Sequence, residues 1–172
     1  MGCDAQPVVV DTLNLTRLSL GYAVEEDRVQ LSAVDAEGTR LKLWLTARLV
    51  HLLVPQLVRH RAALDTRFPA PACPTVSTSA EAQESAPIIC EPGCREALVT
   101  EIELQFRDKG VLLIFKESFH GALASLALSG LELLRFNQGL QHCLEQAGWP
   151  LEPFYTDAGK FADGLYEAAT IH

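Results

Sequence analysis

Between Leu18 and Leu57 the apolar residues change their spacing once, and the change falls on a hydroxyl residue. Leu18, Leu20 and Tyr22, then Val29, Leu31 and Ala33, then Leu41, Leu43 and Leu45 occupy every second position, the period of strands with one buried face. Glu25-Glu26-Asp27 and Asp35-Ala36-Glu37-Gly38 separate them. Both connections are short and polar, and the second ends in a glycine able to take positive φ, so three antiparallel strands are predicted. After Thr46 the apolar residues Leu49, Val50, Leu52, Leu53 and Leu57 mark one face of a helix, with Thr46 as its N-cap. Pro55 inside this stretch removes a backbone donor and crowds the carbonyl of His51, which predicts a kink or an early break.

The same order recurs later. Ile102, Leu104 and Phe106 precede a turn at Arg107-Asp108-Lys109-Gly110, Leu112 and Ile114 follow it, and Ala122, Ala124, Leu126 and Leu128 mark a third strand. Ser129-Gly130-Leu131-Glu132 reads as a capping box. It opens a helix whose buried face is Leu133, Phe136, Leu140, Cys143, Leu144 and Ala147, stopped by Gly148 and Pro150. An offset of 83 places Val29 on Leu112, Leu31 on Ile114, Leu43 on Leu126 and Thr46 on Ser129. The expected fold is therefore α+β: two tandem β-β-β-α units, an internal duplication, closing into one pseudo-twofold domain of antiparallel sheet with two main helices. The first repeat covers 8–66 and the second 97–148. A unit of this kind buries one face only, so the halves must close on each other or on a partner chain.

Between them, 67–96 holds five of the nine prolines (Pro69, Pro71, Pro74, Pro87 and Pro92) among Ala, Ser and Thr, a composition that buries little and predicts a linker. Residues 149–172 carry Trp149, Phe154, Tyr155, Phe161, Leu165 and Tyr166. From Ala158 onward the apolar spacing is helical, and Gly159 and Gly164 each weaken such a helix by about 1 kcal/mol relative to Ala. This aromatic tail either docks on its own domain or meets another protein's groove.

At 172 residues, 48% hydrophobic and 21% charged, the chain is long enough for a sizeable core. The net charge of −8 opposes phosphate backbones, so no nucleic-acid partner is expected. Charged residues or Pro interrupt every apolar run short of the roughly 20 residues that cross a bilayer. Met1-Gly2-Cys3 lacks a charged and an apolar signal region, and the expectation is a cytoplasmic protein with reduced thiols and no membrane contact.

Candidate chemistry is sparse. Cys90-Glu91-Pro92-Gly93-Cys94, with Cys73 upstream, is the one cluster that suggests metal or redox work, although the spacing is poor for structural zinc and no fourth ligand stands out. Reversible pairing of Cys90 with Cys94 is the alternative. The histidines form no His-x-x-x-His or Glu-x-x-His pattern, no Gly-x-Ser-x-Gly elbow presents a nucleophile, and no glycine-rich loop joins a strand to a helix. Asp27, Asp35, Glu37 and Asp108 read as turn residues. Arg48, Arg59, Arg61 and Arg67 make the first helix the most basic region, a patch for an acidic partner or a response to the helix dipole. The residues thus predict a non-catalytic interaction or accessory protein without a cofactor, acting on a protein partner or a second copy. The alternatives are a redox- or metal-responsive module built on the linker cysteines, and a small-ligand pocket between the two repeats.

Overall fold

In the computed structural model the described residues are 12–67, 87–151 and 169–171. The chain runs β1 (Leu13–Ala23), β2 (Arg28–Asp35), β3 (Arg40–Leu45), α1 (Ala47–Arg67), β4 (Arg95–Leu98), β5 (Glu101–Arg107), β6 (Gly110–Glu117), β7 (Gly121–Ser129), α2 (Gly130–Ala147) and β8 (Ala169–Ile171). The eight strands among the described residues belong to one mixed sheet in the order β4-β3-β2-β1-β7-β6-β5-β8.

This sheet overturns the expected pair of tandem units closing about a pseudo-twofold axis. Such an axis would bring like strands together antiparallel. Instead β1 meets β7, and the two run parallel. β4 adds to the outside of β3 in parallel and β8 to the outside of β5, so the sheet extends beyond either proposed unit at both edges. The helices do not keep to their own strands either: α2 reaches across to β1 of the other proposed unit, and α1 to β5. α1 approaches α2, β5 and β8, whereas α2 lies over β1, β7 and β6. Neither half has a core of its own, because the apolar face of each is covered partly by the helix of the other.

The alignment itself fails in β6. Val111, Leu113 and Phe115 are buried, while Leu112 and Ile114 are half-buried on the opposite face. Five consecutive apolar residues make β6 readable in either phase, and periodicity alone cannot choose between them. An irregularity in the β6–β7 ladder between Phe115 and Lys116 places Leu123 as the extra residue.

Local signals explain the rest of the chain. Thr46 caps α1, its Oγ1 accepting from Leu49 N at 3.3 Å. The helix runs on through Pro55 for 21 residues. Burial of Leu49, Val50, Leu53, Val54, Leu57 and Leu64 along its length holds it together where propensity alone would end it. Gly148 ends α2 at φ 66°, with Gly148 N bonded to Glu145 O and Trp149 N to Leu144 O, a Schellman arrangement. Asp35 Oδ1 accepts from the N–H groups of Glu37 and Thr39 and so folds the β2–β3 turn. The sheet face away from the helices carries cross-strand ion pairs: Lys42 to Glu96 at 2.8 Å, and Lys116 to Glu101 and Glu103 at 2.7 and 2.9 Å.

Candidate functional site

The seam between β1 and β7 is short. Leu13 pairs with Ala124, Asn14 with Ser125 and Leu15 with Leu126, and there the ladder stops. On its other side β1 stays paired to β2, but Leu15 faces Asp35 and Arg17 faces Val34, so Thr16 has no opposite residue. This is a β-bulge, which sharpens the local twist and re-aims the strand beyond it. It also explains a change of phase in the sequence, since Leu13 and Leu15 serve the core before Thr16, and Leu18, Leu20 and Tyr22 pack against it afterwards.

Beyond the bulge the two strands fork around a groove of about 340 Å³. Thr16 to Leu20 form one wall and Leu126 to Leu128 the other, with Phe136 and Gly139 of α2 at the base. Gly139 is there because α2 lies close: a Cβ on it would stand 2.9 Å from Leu20 Cδ1. From Arg17 onward β1 has ladder partners on its β2 side only among the described residues. The fork therefore presents strand edges to its interior.

Its charge is cationic. Arg17 and Arg135 line the groove and neither forms an ion pair with a described residue. Glu132 is occupied locally, accepting from Ser129 N at 2.8 Å and Ser129 Oγ at 2.7 Å. Those two donors, aided by the Arg135 charge, hold its carboxyl below the usual range. The sequence marks several of these groove residues as core or capping positions, but none of them as a binding site. The signal that marks them is the phase change at Thr16, which an alternation count starting at Leu18 passes over.

The residues singled out from sequence are dispersed. Cys73, Phe154, Tyr155, Phe161, Leu165 and Tyr166 lie outside the described residues, as does the Arg67 side chain. Trp149 docks on its own domain, half-buried, edge-on to Tyr22 with centroids 5.6 Å apart and 6.1 Å from the ring of His51. Arg48 and Arg59 are exposed. Eleven residues apart, they share one face of α1, with Arg61 about 200° further round from Arg59 and half-buried. The basic patch is therefore split. The 169–171 stretch is a strand rather than the continuation of a helix, because Ile171 pairs with Ile102 and fills the core at the edge of β5.

The structure does bring Cys90 and Cys94 together. Cys94 N bonds to Glu91 O at 3.0 Å across Pro92 and Gly93, and Gly93 has φ 95°. Pro at the second position and a left-handed Gly at the third are the requirements of a type II turn. The Cys94 thiol donates to Arg40 O at 3.3 Å. Burial, and a hydrogen-bonding contact with the Cys90 thiol, hold the Cys94 thiol above its ordinary value. Lys42, paired with Glu96, is raised mainly by that carboxylate, and its charge works against the rise at Cys94. Cys143 is a core residue, pushed up to about 11 by burial. Among the described residues no group of three or more His, Cys, Asp or Glu side chains is placed to hold a metal ion, and no helix is long and apolar enough to cross a membrane. Comparison with protein-family models, with curated proteins and with solved structures found no match for this chain.

Proposed function

We propose that the chain is a non-catalytic interaction module that takes an extended acidic peptide segment as an added strand in the fork between β1 and β7. The observation that carries this reading is the end of the β1–β7 ladder at Leu15, which leaves strand edges facing a groove beside two guanidinium groups. Strand addition supplies affinity through main-chain hydrogen bonds, and the groove supplies specificity through alternate side chains. Leu18, Leu20, Leu126 and Leu128 take apolar residues, and Arg17 and Arg135 take a carboxylate in the fork geometry a guanidinium favours. The chain's net charge of −8 confines such attraction to the groove itself.

Selection from a random peptide library against the purified chain tests this. The expected winners alternate apolar residues with at least one Asp or Glu, bind in fluorescence anisotropy, and slow hydrogen exchange across 17–20. N-methylation of the bound peptide's backbone abolishes binding. Winners that leave those amides unprotected overturn the reading. A volume of 340 Å³ also falls within the size of small-molecule sites, so saturation of the fork by a short-chain fatty acid with no peptide selected favours a small amphipathic anion instead. Light scattering at rising concentration identifies a second copy as the strand donor.

A further inference from the structure

We propose that Cys90 and Cys94 form a reversible disulfide that pins the chain where it joins the edge strand β4. The turn is preorganised for it. Pro92 sets the corner, Gly93 adopts a φ of 95° that side chains disfavour, and the Cys94 N–H closes the turn on Glu91 O. These constraints fold position 90 back toward position 94, near enough for the Cys90 thiol to help hold the Cys94 thiol above its ordinary value. Both are half-buried rather than sealed, so a small oxidant and a reductant reach them. The Cys94 Sγ is anchored on Arg40 O at the start of β3, and Arg95, the next residue, begins the parallel ladder opposite Leu41. A cross-link here therefore closes a small ring directly at the end of a four-residue edge strand.

The chemistry balances with a peroxide as oxidant. The Cys90 sulfur, on giving up its proton, attacks one peroxide oxygen and breaks the O–O bond, releasing hydroxide and leaving a sulfenic acid. The Cys94 sulfur then displaces the sulfenic hydroxyl, forming the S–S bond and releasing its proton. Two thiols and one hydrogen peroxide give one disulfide and two waters. A dithiol such as dithiothreitol returns the pair to the reduced state by exchange. Lys42, held by Glu96 two residues beyond Cys94, supplies a positive charge that favours the thiolate of Cys94 as its proton leaves.

The test uses the full chain. After full reduction it is treated with one equivalent of hydrogen peroxide, blocked with N-ethylmaleimide and cut by a Glu-specific protease, which spares the Glu91-Pro92 bond and so separates Cys73 from a fragment spanning 85–96. The expected result, with blocking done in denaturant so that the buried Cys143 is reached, is an 85–96 fragment lighter by two hydrogens and unlabelled, with Cys3, Cys73 and Cys143 labelled. Dithiothreitol restores labelling, and Cys73→Ser changes nothing. Backbone amides of 95–98 exchange at least tenfold more slowly in the oxidised chain, and Cys94→Ser removes that difference. A Cys73 disulfide to either thiol, labelling of both Cys90 and Cys94 after oxidation, or unchanged exchange at 95–98 overturns the proposal.

Discussion

His60 on α1 donates its Nε2–H to the carbonyl oxygen of Gly110 at 2.9 Å, while its ring lies 4.6 Å from that of Phe106. A carbonyl can only accept, so this contact sets the tautomer. It also ties the helix that follows β3 to the hairpin of β5 and β6, across the middle of the molecule.

Gly110 is constrained from the other side as well, since a Cβ built on it would run into the backbone carbonyl of Leu128. Gly110→Ala is expected to cost about 3 kcal/mol or more, because a backbone oxygen cannot move aside as a side-chain tip can. Gly21→Ala meets nothing within 4 Å and should change stability by less than about 1 kcal/mol in either direction. Urea denaturation of the two variants checks the contrast.

Asn137 is buried on α2, and neither its amide nitrogen nor its carbonyl oxygen has a partner among the described residues. Each such group forfeits about 1–3 kcal/mol of solvation. Asn137→Leu should therefore raise the thermal midpoint, and Asn137→Asp should lower it. A loss of stability in the leucine variant would contradict the assignment.

Pro55 sits in the ninth position of a continuous helix. Pro55→Ala restores a donor to the His51 carbonyl without altering the packed face, and is expected to stabilise by about 1–3 kcal/mol. Equilibrium unfolding measures it.

The pH response follows from groups held away from their ordinary values. Hydrogen bonds from Lys42 and Trp44 lower Glu96, those from Gln105 and Lys116 lower Glu103, and those from Ser129 lower Glu132. Each carboxyl binds a proton less readily folded than unfolded. Its contribution is thus complete above the unfolded value near about pH 4.3 and is lost as pH falls through the folded one. Lys42 and Lys116 are raised, first by Glu96 and by Glu101 respectively, so their contribution is complete below about pH 10.4 and lost as pH rises through the folded values. Unfolding midpoints from pH 3 to 7 should fall on the acid side, less steeply in Glu103→Gln and Glu132→Gln.

Arg17→Ala and Arg135→Ala remove exposed guanidiniums that contact no described carboxylate. Each should change stability by no more than about 0.5 kcal/mol, yet the double variant should weaken binding of the selected acidic peptides at least tenfold. Anisotropy titration beside a denaturation curve separates the two effects.

Much of this molecule was written locally. The β1–β2–β3 alternation, the Thr46 cap, the Ser129 to Glu132 start of α2, the Gly148 stop and the Asp35 turn all follow from residues within a few positions of one another, because hydrogen bonds to neighbouring backbone and a one-sided apolar face need no distant partner. The phase of β6, the passage of α1 through Pro55, the parallel meeting of β1 with β7 and the fork beyond Thr16 were decided by tertiary structure. An apolar face states that it must be buried but not against what, so the choice of neighbour, and with it the groove, belongs to the whole chain.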